Sequence, residues 1–174
     1  MKFTVLFLLS AALFAQDAMH DALVKHWKTS GELTMAVANA MPAESYGFKP
    51  VPQEMSFGQL MDHIATADIG ACAMASGMPR PAVPEKIAAS VKDQKAPLPD
   101  KDSIVAFLGD AFSFCEKAAE SMTPEKLNAV VGPANRKMTG FEWLWAYFTH
   151  TAHHRGQAEV YLRLKGITPP VYTF

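Results

Sequence analysis

The sequence holds only two cysteines, Cys72 and Cys115, in 174 residues. That is too few for the disulfide framework of a small secreted scaffold, and neither a CxxC pair nor a paired-cysteine zinc spacing occurs. Alternating β-branched runs are missing as well, which argues against a sheet of any size. Basic residues show no excess: 16 Lys and Arg stand against 17 Asp and Glu, a formal charge of −1. A chain so balanced lacks the electrostatic footprint of a nucleic-acid binder. No apolar run reaches the roughly 20 residues a helix needs to cross a bilayer. The run from Phe3 to Ala15, interrupted only by Thr4 and Ser10, falls short of that length. With Lys2 before it and Ala15, Gln16 and Asp17 at its end, it has the order of a secretory signal. The expectation is therefore a signal peptide over residues 1–15, export to the periplasm or beyond, no stable membrane span after processing, and a mature domain over residues 16–174.

What is present is a globular chain, 49% apolar with 11 Phe, 10 Met and 3 Trp, enough to build one core. Helical signals dominate. Apolar residues at Met19, Leu23, Trp27, Leu33, Val37 and Met41, closed by Pro42, predict a first helix over residues 17–41. Pro42, Gly47, Pro50 and Pro52 mark a loop, because proline lacks an N–H and fixes φ. Ser56 and Gln59 then form an S-x-x-Q capping box, predicting a second helix from Phe57 to about Ser76, ended by Gly77 and Pro79. Five prolines between residues 77 and 101 predict a long crossover with a short helix over residues 85–92. A crossover of that size lets helices two and three run in the same direction. The third helix, capped by Asp102 or Ser103, runs through Ile104, Phe107, Leu108, Phe112, Cys115 and Ala119, and Thr123-Pro124-Glu125 starts a helical turn. Residues 132–138 read as loop. Thr139 and Glu142 make a T-x-x-E box for a fourth helix ending near Lys165 at Gly166, and residues 169–174 read as a tail lying on the bundle. The fold class is all-α, a four-helix bundle. Cys72 and Cys115 sit in separate helices and read first as buried free thiols, though they could pair if those helices are neighbours with Cα atoms within about 7 Å.

Chemistry concentrates in the histidines. Three of the six lie in His150-Thr151-Ala152-His153-His154, on the fourth helix. At about 100° per residue His150 and His154 share a face, so both imidazoles can reach one metal ion, while His153 turns toward the edge. Trp143, Gln157 and Tyr161 fall on the same stripe. A third ligand must come from another helix, and His63 is the candidate, with Ala67, Gly70 and Ala71 leaving room beside it. Neutral imidazoles are common metal ligands, and three of them leave a position open for water or substrate. The glutamate of H-E-x-x-H is absent, since Thr151 follows His150, so zinc proteolysis of that type is not indicated. His20 and His26 read as surface residues. Taken alone, each histidine could equally be a hydrogen-bonded core residue.

Two segments, Ser56-Phe57-Gly58-Gln59-Leu60-Met61-Asp62-His63-Ile64-Ala65 after Tyr46-Gly47-Phe48-Lys49-Pro50, and His150-Thr151-Ala152-His153-His154-Arg155-Gly156-Gln157, resemble the DinB/YfiT-like family of metal-binding four-helix bundles. Tyr161-Leu162-Arg163-Leu164-Lys165-Gly166 with Pro169 is similar to that family's ending, so the resemblance spans residues 17–170. It implies an up-down-down-up bundle in which His63, His150 and His154 bind a divalent metal such as zinc or nickel. It further implies that Gly156 permits close helix packing and that Gln157 hydrogen-bonds a ligand. Some members of the superfamily activate the thiol of a low-molecular-weight cofactor.

The expected function is a metal-dependent thiol transferase or hydrolase acting on a small molecule, its pocket lined by Trp143 and Tyr147, with Gln157 and Tyr161 nearby. The alternative is a non-catalytic exported bundle that binds a metal or small ligand, or whose histidines are structural. The aromatic content leaves room for a homodimer through exposed apolar helix faces.

Overall fold

The structure, a computed structural model, describes the backbone of residues 2–173 and the side chains from residue 18 to residue 173. Of the expected signal peptide, residues 1–15, the backbone of residues 2–15 is helical and continues into the first helix, which thus begins before the expected residue 17, while the side chains there lie outside the described residues. Six helices and one two-stranded hairpin occur in the order α1 (Lys2–Ala40), α2 (Phe57–Ser76), α3 (Glu85–Lys92), α4 (Lys101–Glu120), α5 (Pro124–Asn128), β1 (Val130–Val131), β2 (Met138–Thr139) and α6 (Gly140–Leu164), with a 3₁₀ turn at Ala43–Ser45. No helix among the described residues is long and apolar enough to cross a membrane.

The helix starts follow from capping. Ser56 Oγ accepts from the Gln59 N–H, and the Gln59 side chain accepts from the Ser56 N–H at 2.9 Å. Thr139 and Glu142 repeat this reciprocal pattern at the start of α6. Each box satisfies donors that the first helical turn leaves unpaired, worth about 1 kcal/mol. The third long helix begins slightly earlier than the sequence suggests, because Asp100 is its cap, not Asp102 or Ser103, and accepts from the Ser103 N–H at 2.9 Å. Lys101 then carries its ammonium to the last carbonyls of α1, Asn39 at 2.9 Å and Met41 at 2.8 Å.

Four helices form the bundle, with α1 and α2 each packed between α4 and α6. Contacts fix the directions. Gly58 meets Ile104 while Cys72 meets Cys115, so α2 and α4 run parallel. Phe57 meets Tyr161 while Asp68 meets Thr151, so α2 and α6 are antiparallel. Trp27 packs on Phe148 and Ser30 on Arg155, making α1 and α6 parallel, whereas His20 bonded to the Ala119 carbonyl and Gly31 packed on Phe112 make α1 and α4 antiparallel. The result is the up-down-down-up order, with the crossover carrying α3 spanning the bundle.

Gly58 is required where that crossover returns. A Cβ there would stand 2.8 Å from Leu98 and 3.0 Å from Ile104, closer than packed carbons sit. The core is made of side chains such as Trp27, Leu60, Ile64, Ile69, Leu108, Leu144 and Leu162, all within 1% of full burial. Two expectations are corrected. Cys72 and Cys115 are not free thiols but a disulfide, with Cα atoms 5.3 Å apart, because parallel packing brings these helix positions level. The expected loop over residues 132–138 is the turn of a hairpin that takes in Met138, with Val130 paired antiparallel to Thr139 and Val131 to Met138.

Candidate metal centre

Antiparallel packing of α2 on α6 brings His63 against the i, i+4 pair His150 and His154. His63 Nε2 lies 3.2 Å from His150 Nε2, and His154 Nε2 lies 3.1 Å from His150 Nε2. One nitrogen from each ring falls within 4.8 Å of the others, a grouping that could hold a metal ion. All three rings are half-buried.

Their protons are awkward to place. His154 Nδ1 is 2.7 Å from Gln157 Oε1, an atom that only accepts, so Nδ1 carries the hydrogen and Nε2 points a bare lone pair at His150. If His150 is protonated on Nδ1, that proton is buried without an acceptor and its Nε2 lone pair meets that of His154. If it is protonated on Nε2, the single hydrogen faces two acceptor positions. Extra protons do not relieve this. Burial, then the neighbouring histidines, pushes the His150 pKa down to about 4, and burial lowers His63 and His154 as well. A cation at the convergence point would use all three lone pairs. Nitrogens bound at about 2.0–2.1 Å to one tetrahedral ion lie roughly 3.3 Å apart, close to the two short spacings seen here. The residues present fit a divalent metal.

The surroundings hold this geometry. Thr151, next to His150, donates to both oxygens of Asp68 at 3.0 and 2.8 Å, tying α6 to α2 in the interior. Asp68 is fully buried, and burial pushes its pKa well up despite that hydroxyl. On the other side of His63, Asp62 receives Ser90 Oγ at 2.5 Å, which fastens α3 to α2, and burial raises its pKa to about 7. Gln157 also donates to His153 Nε2 at 3.3 Å, so one amide orients a cluster histidine and occupies the exposed His153. Arg155 points the other way, to Ser30 Oγ at 3.1 Å and Thr34 Oγ1 at 3.4 Å on α1.

Several sequence expectations are placed differently. Gly156 does not admit a packed helix: it is exposed, and a Cβ there would meet nothing within 4 Å. Tyr161 is not at the cluster. Its hydroxyl donates to the Met55 carbonyl at 3.0 Å and its ring meets Phe48, which pins the loop before α2. His20 is half-buried against α4 rather than on the surface, and His26 lines an apolar hollow between α1 and α6. Trp143 and Tyr147 do lie beside the cluster, Tyr147 with its ring 5.3 Å from that of His150, and they stack on each other at 5.9 Å. Sequence reading misses Arg136, whose guanidinium covers both rings. Only the basic pair Arg136-Lys137 after a Gly-Pro turn marks it in the sequence.

The comparisons with known proteins agree with this picture. Residues 26–158 match the sequence profile of DinB_2, the DinB superfamily. The chain belongs to the DinB superfamily. Among solved structures it is similar in fold to a DinB-like protein from Bacillus cereus, at 23% identity and a TM-score of 0.71 over 88% of this chain and 97% of that one. A DinB-like protein of Bacillus subtilis, YjoA, shows 22% identity and a TM-score of 0.66, covering 87% and 98%. YfiT from Bacillus subtilis, to which metal-dependent hydrolase activity and an unusual four-helix bundle topology have been attributed, shows 14% identity and a TM-score of 0.66, covering 86% and 89%. No curated protein sequence matches. Within the DinB superfamily this chain has the all-α bundle and a histidine cluster able to bind a metal.

Proposed function

We propose that this DinB protein is an exported, metal-dependent hydrolase acting on a small molecule, with His63, His150 and His154 as ligands for zinc or nickel. The observation that carries the reading is the convergence of three Nε2 lone pairs whose rings burial keeps neutral. Three histidine ligands leave at least one coordination position available. A divalent ion held there would supply Lewis acidity, lowering the pKa of a water or thiol nucleophile. Gln157 fixes the His154 tautomer, and the Asp68–Thr151 pair holds the two helices in register around the cluster.

Hydrolysis is preferred over thiol transfer because of the disulfide. A Cys72–Cys115 bridge persists in oxidising compartments, where low-molecular-weight thiols are scarce, and the signal-like residues 1–15 support the same destination. The hydrolase activity attributed to YfiT is consistent with this choice.

Elemental analysis of protein purified without chelator or histidine tag is the test. A near-stoichiometric divalent metal is expected in the wild type and in neither His63→Ala nor His154→Ala, followed by loss of turnover in His154→Ala on any ester or amide substrate found. Absence of metal after reconstitution with both zinc and nickel would overturn the reading and leave the histidines as structural groups.

A further inference from the structure

The turn between β1 and β2 brings one residue over the aromatic pair beside the cluster. Gly132 adopts φ +115°, a region L side chains rarely enter, and a Cβ there would stand 2.4 Å from the Arg136 carbonyl. Trp143 Nε1 donates to the Val131 carbonyl at 3.2 Å, so the hairpin is fastened to α6. Arg136 then lies over the Trp143 ring at 4.7 Å and the Tyr147 ring at 5.4 Å, and its Nη1 donates to the Tyr147 hydroxyl at 3.0 Å. That is one of five guanidinium donors. Tyr147 in turn contacts His150.

A second guanidinium, that of Arg80 in the crossover, lies against α2. His63, Ala67 and Gly70 fall on one stripe at i, i+4 and i+7, and a Cβ at Gly70 would stand 3.9 Å from Arg80 Nη2. Neither arginine has a carboxylate within ion-pair distance among the described residues. The ligand set itself contains no carboxylate. A divalent ion beside neutral imidazoles and guanidinium groups without carboxylate partners would leave this part of the surface positive, which favours an anion.

We infer that Arg136, held on the Trp143–Tyr147 platform, is the specificity-determining residue for an oxyanion on the substrate, so that the site takes small molecules bearing a carboxylate or phosphate group. This rests on the proposed function for its setting, yet its geometry belongs to α6 and the hairpin alone. The two rings and the Tyr147 hydroxyl hold the exposed guanidinium in place, which leaves its remaining donors available for the two oxygens of a carboxylate or phosphate. Arg80 would add a smaller attraction from the α2 side.

The test uses the full chain, zinc-loaded and metal-free, titrated with benzoate and with methyl phosphate while the Trp143 indole N–H resonance is followed by NMR. At least one probe is expected to bind wild type about tenfold or more tightly than Arg136→Gln, with Arg136→Lys between them. Zinc content should be equal in all three. Preference for one probe distinguishes carboxylate from phosphate. Equal affinity in wild type and Arg136→Gln, or binding of neither probe, would overturn the inference. An Arg136-dependent affinity that is the same with and without zinc would uphold it and count against the metal site alone.

Discussion

Helix α2 presents two faces that do different work. Toward α4 it is dry and covalently fixed: Gly58 packs on Ile104, and the Cys72–Cys115 disulfide closes the seam. Toward α6 it is polar, carrying the half-buried His63 to His150 and His154 and the fully buried Asp68 to Thr151. The difference teaches where a site gets its rigidity. Three neutral imidazoles gain nothing from facing one another, so the α4 face must hold α2 in place while the α6 face keeps its lone pairs convergent.

The sharpest way to break the comparison is to remove the bridge. Replacing both Cys72 and Cys115 with alanine should cost about 4 kcal/mol, since the closed loop spans a separation of 43 residues. Urea unfolding measures this, and zinc titration of the same variant should show the metal retained. A variant that loses both together would mean the two faces are not separable. A change on the α6 face should do the reverse. Gln157→Leu removes the acceptor for His154 Nδ1 and should weaken zinc binding by roughly 10- to 100-fold with little change in the urea midpoint. Unchanged zinc affinity would show that the amide does not orient the ligand.

The smallest effect concerns pH, and its sign follows from burial. The folded pKa of His150 is about 4 against an ordinary 6.5, so between those values the unfolded chain binds a proton that the folded chain refuses. This contribution to stability is complete above pH 6.5 and is lost as pH falls toward 4. Asp62 acts with the opposite sign, because its raised pKa of about 7 lets the folded chain keep a proton that the unfolded chain releases above 3.8. For metal-free protein, urea midpoints between pH 7 and 5 should therefore fall less in His150→Ala than in wild type. Parallel curves would mean that burial does not hold this imidazole neutral.

Local chemistry made much of this legible from sequence. Ser56 with Gln59 and Thr139 with Glu142 announce their helices because capping boxes are contacts three residues apart. The His150–His154 pair is legible for the same reason, since helical periodicity alone places both on one face. His63 needed the small residues of its own stripe and a family resemblance. What escaped depends on distant segments. Nothing in the spacing of Cys72 and Cys115 says that α2 and α4 run parallel and level, and a disulfide needs both. The strands Val130–Val131 and Met138–Thr139 are too short for any alternation to show. Arg136 is invisible for a related reason: its place depends on a hairpin folding back over the start of α6.

The bridge between α2 and α4 also encloses the whole exposed crossover, with α3 and its flanking prolines, inside one covalent ring. A protease that cuts anywhere in that crossover opens the ring without dividing the molecule. The nicked protein would still migrate as a single species until a reductant is added, and its histidine-bearing helices would stay joined through sulfur when the peptide chain between them no longer does so.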